Sequence, residues 1–69
     1  MLDKNALRAE IARNGMTQKQ VAAILGISEK TFISRMKKGV FGTDEAEKMI
    51  SALKIKDPQA IFFAKKVTL

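Results

Sequence analysis

Two capped helical segments with almost no chain between them, from Thr17 to Lys38, constrain this sequence more than any other feature. Thr17 and Gln20 stand at the spacing of a capping box, in which each side chain accepts from an amide that the helix start leaves free. Met16 and Val21 flank the pair as a hydrophobic staple. Gly26 then closes the first segment, because the left-handed conformation that ends a helix favours glycine. Ile27 and Ser28 open the second, Ser28 as N-cap and Ile27 as staple partner of Phe32. Val21 and Leu25 supply the apolar stripe of the first segment, and the small Ala22 lets another helix cross closely. At about 100° per residue, Phe32, Ile33 and Met36 share one face of the second, while Lys30, Thr31, Ser34, Lys37 and Lys38 project from the other. Helices joined by so short a turn must cross steeply, so Gln18 to Lys37 reads as a helix-turn-helix.

The remaining chain reads as bracing for this pair. Asp3 is expected to cap a first helix that carries Leu7 and Ile11 on its inner face, with Leu2 stapled to Leu7 and Asn14-Gly15 as the stop. Phe41, in the loop Lys38 to Gly42, is expected to fold back onto the core. Thr43 is expected to cap a fourth helix whose first turn holds Asp44, Glu45 and Glu47, where the helix dipole favours acids. Ala46, Met49, Ile50 and Leu53 form its inner stripe. Asp57-Pro58 starts a last short helix, with proline at the first helical position. Ile61, Phe62 and Phe63 then crowd one turn with more apolar surface than a single face can bury, which suits either core packing or a dimer contact within 58–69. The tail from Lys65 to Leu69 is expected to be extended or frayed.

With 69 residues the chain is one domain, residues 1–69. A domain of this size buries only about 60% of its unfolded surface, so association with a second copy is a natural supplement to its stability. It contains neither cysteine nor histidine, which removes disulfides, thiolate metal sites, the commonest metal ligand and the usual general base. There are no paired carboxylates at a cleft and no phosphate-cradling glycine loop, so neither an enzyme nor a cofactor is expected. No apolar run approaches the roughly 18 residues of a membrane span and no signal peptide is legible, so a cytoplasmic protein with no membrane partner is expected. The formal charge of +6 and pI near 10.0 favour a polyanionic partner.

Gln18, Ala22, Gly26, Ile27, Ser28 and Phe32 resemble the helix-turn-helix of the Cro/CI repressor family, the lambda-repressor-like or XRE class. The stretches Lys37 to Ala46 and Asp57 to Ala64 look like those of short regulators encoded by phages and prophages. Together these cover roughly residues 3 to 64. The resemblance implies an all-α, compact five-helix bundle whose third helix, about Glu29 to Lys38, enters the major groove of an operator as recognition helix. It places Glu29, Lys30, Thr31 and Ser34 at base-contacting positions and Gln18 at a phosphate. Lysine can donate to guanine O6 and N7, and a helix start offers free amides to phosphate. Lys37 and Lys38, with Arg35, are the other expected phosphate contacts.

One domain of this size covers one half-site, so a homodimer on double-stranded DNA, with recognition helices about 34 Å apart, is expected. Two positions depart from the family pattern. Arg35 stands where an apolar residue is usual, and Ile24 where a polar one is frequent. A competing reading is an antirepressor of the same fold that docks on a partner repressor through Ile24, Ile33 and Phe62.

Overall fold

The computed structural model describes residues 2–63. Five helices occupy them: α1 Lys4–Arg13, α2 Gln18–Leu25, α3 Glu29–Lys38, α4 Thr43–Leu53 and α5 Pro58–Phe62. Four of the five start on the cap that the sequence predicts. Asp3 Oδ1 accepts from the Ala6 amide at 3.0 Å, and Ser28 Oγ from the Thr31 amide at 3.1 Å. Thr17 and Gln20 close the reciprocal box, with Thr17 Oγ1 accepting at 3.2 Å and Gln20 Oε1 at 2.9 Å. Asp57 Oδ1 accepts from the Ala60 amide at 3.3 Å, ahead of Pro58 at the helix start. Gly26 adopts φ of 75° and ends α2 as expected.

The fourth helix starts differently from the expectation. Gly42 is its N-cap and Thr43 its first helical residue, so the threonine hydroxyl makes no cap. The carboxylate three residues on takes over the task, Glu45 Oε1 accepting from the Gly42 amide at 2.9 Å. A side chain reaching back from the third helical position satisfies a free amide as well as a capping hydroxyl does.

The core draws on every helix: Leu7 and Ile11 from α1, Val21, Ala22 and Leu25 from α2, Phe32 and Met36 from α3, Met49 and Leu53 from α4, Ile61 and Phe62 from α5. Leu2 and Ile55 complete it. α2 packs on both α3 and α4, and α1 on α5. Hydrogen bonds then tie the helix ends together. The Asp3 amide donates to the Ile61 carbonyl at 2.7 Å, and Asn14 Nδ2 bridges the carbonyls of Glu10 and Leu53 at 2.8 and 2.9 Å. Phe41 is half-buried and folds back as expected, its ring tilted 47° to that of Phe32 with centroids 5.4 Å apart.

Two expectations about apolar residues are corrected. Ile33 does not share the buried face: α3 buries only the narrow line from Phe32 to Met36, and Ile33, about 100° further round, is 41% exposed. Phe62 is buried, so it cannot join Ile24 and Ile33 in a docking patch. Phe63 is the surplus ring of the last turn, 66% exposed. The expectation for Lys65 to Leu69 lies outside the described residues. Among those described, no helix is long and apolar enough to cross a membrane.

Candidate nucleic-acid interface

α3 is fastened from behind by Phe32 and Met36, both almost wholly buried, and from its ends by Ser28 and Gly39. That leaves its outward side to residues with no packing task. Glu29, Lys30, Ser34, Lys37 and Lys38 are exposed and Thr31 is half-buried. On a helix of about 100° per residue, Ser34 sits near the centre of this outward side, Lys30 and Lys38 flank it, and Thr31 and Arg35 occupy the edge nearer α4. The surface is convex and made of hydroxyl and ammonium donors, with Glu29 the one acid, at the helix entrance.

The first turn of this helix is internally ordered. Ser28 Oγ accepts the Thr31 amide and donates to Thr31 Oγ1 at 2.9 Å, so the Thr31 hydroxyl is oriented before any partner arrives. Gln18 is the first residue of α2 and half-buried. The cap on Thr17 uses the Gln20 amide, which leaves the amides of Gln18 and Lys19 without a helical acceptor. Such a helix start suits an anion.

At its other end α3 carries Lys37, Lys38 and a further cation from a distant part of the chain. Lys4 Nζ donates to the Lys37 carbonyl at 2.6 Å, placing an ammonium on the negative end of the helix dipole. The sequence alone does not reveal this, because the two residues are 33 apart and on different helices. The structure thus brings Lys4, Lys37 and Lys38 together at one end of the expected contact surface.

Arg35 is turned elsewhere. Its Nη1 is paired with Glu45 Oε2, across the loop between α3 and α4. Glu45, the acid that also holds the Gly42 amide, is therefore part of the surroundings of α3, a role that its place in the first turn of α4 does not announce.

The described residues hold no group of three histidine, cysteine or acidic side chains able to bind a metal ion. Cavities of about 430 and 480 Å³ lie away from the α3 surface. The first lies between α1 and α5, beside Ala6, Ala9 and Ala60; the second lies under the α3–α4 loop, beside Val40, Phe41 and Phe63. What α3 offers is a donor-rich rod about one helix wide, the dimension that the major groove of B-DNA admits.

A family model described as the antitoxin Xre-like helix-turn-helix domain matches residues 5–53. That span runs from the first turn of α1 to the end of α4 and includes the whole α2–α3 pair. No curated protein and no solved structure matches the chain.

Proposed function

Since the chain belongs to the Xre-like helix-turn-helix family, whose fold is that of a DNA-binding regulator, we propose that it is a sequence-specific repressor that lays α3 in the major groove of an operator. The observation that supports this most is the division of α3 between a buried Phe32–Met36 line and an outward donor face. Lys30 and Ser34, with Thr31 and Glu29 beside them, read base edges. Gln18, at the free amides of α2, and Lys37 and Lys38, at the far end of α3, hold phosphates on either side. Repression follows from occupancy: a protein seated in the groove of a promoter blocks polymerase from the same DNA.

One copy reads a few base pairs, so useful selectivity calls for two copies on a palindromic site, with their α3 helices one DNA turn apart. The test is a selection of bound sequences from random duplex DNA. A two-fold motif with half-sites about 10 base pairs apart is the expected result. Lys30→Ala with Ser34→Ala should erase the motif while leaving the helical content intact. An unchanged motif in that variant refutes the assignment.

The description of the family as an antitoxin domain favours a second reading, in which the chain also holds a partner protein. Ile24 and Ile33, about 40% exposed on the helix pair itself, would supply apolar contact. Capture of a partner by the wild type but not by Ile24→Ser with Ile33→Ser supports it.

A further inference from the structure

Arg35 and Glu45 are ten residues apart and belong to different helices, yet they form the ion pair that joins α3 to α4. The two carboxylate oxygens of Glu45 have separate tasks. Oε1 accepts the Gly42 amide at 2.9 Å and so starts α4, while Oε2 takes the Arg35 guanidinium. The Glu45 side chain is only 13% exposed, against 40% for that of Arg35. The acid is thus the sheltered, doubly committed partner and the arginine the one that could leave. Arg35 also stands at the edge of the outward face of α3, about 100° from Ser34 round the helix. Released from Glu45, its cation would stand beside any DNA that this face contacts.

We propose that Glu45 is a positioning residue for the recognition helix: it keeps the Arg35 guanidinium on α4 and off the DNA backbone, so that Arg35 pins α3 instead of binding phosphate. This rests on the DNA-binding reading above. It concerns specificity more than affinity. A long cation free to seize any nearby phosphate adds binding energy that is the same for every sequence, and so lowers the ratio of operator to random binding. Fixing Arg35 removes that contribution and at the same time holds α3 at a set angle to the body.

Glu45→Gln separates the two tasks of the side chain. Its amide oxygen can still accept from Gly42, but its NH2 group meets the guanidinium donor to donor, so the cap persists and the pair is lost. The measurement is the affinity of each full-length variant for a mixed-sequence 24-base-pair duplex across about 50 to 200 mM salt. Each phosphate contact adds about −0.9 to the log–log slope. Glu45→Gln should steepen the slope by about that amount, a further loss of roughly 3.5-fold across this range. Arg35→Met should leave the wild-type slope unchanged, and Glu45→Gln combined with Arg35→Met should restore it, which distinguishes a released cation from the mere loss of an acid.

If Arg35→Met alone flattens the slope, Arg35 already binds phosphate and the proposal is overturned. It is equally overturned if Glu45→Gln leaves the slope unchanged, or weakens binding without steepening it, as a purely structural role would. A wild-type protein with no salt-dependent binding to the duplex overturns the DNA-binding reading itself. Failure of the Arg35 variants alone leaves that reading standing.

Discussion

The ring of Phe41, in a loop, leans on the ring of Phe32, in α3, with centroids 5.4 Å apart and planes tilted by 47°. Such offset, tilted pairs add about 0.5–1.5 kcal/mol beyond the area that they bury. The two rings are not equivalent, because Phe32 is fully enclosed and Phe41 only half so. Truncating an enclosed phenylalanine costs about 3–5 kcal/mol, comparable with the whole stability of a domain this small. Phe32→Ala should therefore leave the chain largely unfolded in urea titrations followed by circular dichroism. Phe41→Ala should lower the midpoint but preserve a cooperative transition. Equal losses at the two positions would show that the loop ring is as essential as the helical one.

Removing the Ser28 hydroxyl takes away the acceptor of the Thr31 amide and the donor to Thr31 Oγ1 together. Ser28→Ala should cost about 1 kcal/mol of stability. It should also speed amide exchange at Thr31 and weaken DNA binding by more than the stability change explains, because the Thr31 hydroxyl loses its fixed orientation. Ser28→Asp keeps a capping acceptor but cannot donate. It should recover the stability and not the binding.

Lys37 and Lys38 are exposed at the end of α3, where Lys4 adds its own charge to the Lys37 carbonyl. Exchanging both for Gln should weaken binding to all DNA sequences alike and flatten the log–log salt slope by about 0.9 per lost contact. The preferred sequence in a random-duplex selection should not change. A changed preference would move these two residues from phosphate to base contact.

Two helix ends offer a paired test of backbone conformation. Gly26 has φ of 75°, and a Cβ built there meets no atom within 4 Å. The cost of Gly26→Ala is then conformational alone, about 1 kcal/mol. Lys54 adopts the same left-handed region at φ of 52° without being glycine. Lys54→Gly should raise the thermal midpoint slightly, since relief of that strain outweighs the extra freedom of the unfolded chain by a few tenths of a kcal/mol.

Local rules made most of this fold legible in advance. Caps act over three residues and staples over five, so Asp3, Thr17, Ser28 and Asp57 mark helix starts with no knowledge of the rest of the molecule. The same locality explains the misreadings. Thr43 has the chemistry of a cap, but the chain enters α4 one residue earlier and Glu45 satisfies the amide of a residue with no side chain. Ile33 belongs on a buried face only if that face is wide, and its width depends on how the neighbouring helices pack on α3, which no local spacing encodes. At the candidate interface the outward residues of α3 were readable from helical period. The Lys4–Lys37 bond and the Arg35–Glu45 pair were not, since each spans a gap that no helical or capping spacing encodes.

The separation of labour within α3 bears on how such a protein can change. Phe32 and Met36 carry the packing of this helix, whereas Lys30 and Ser34 are exposed. Exposed substitutions of that kind shift stability by only about half a kcal/mol either way. On the proposed reading of α3, mutation can thus explore new target sequences without first risking the collapse of the domain, and a duplicated copy could drift to another operator while remaining folded at every step.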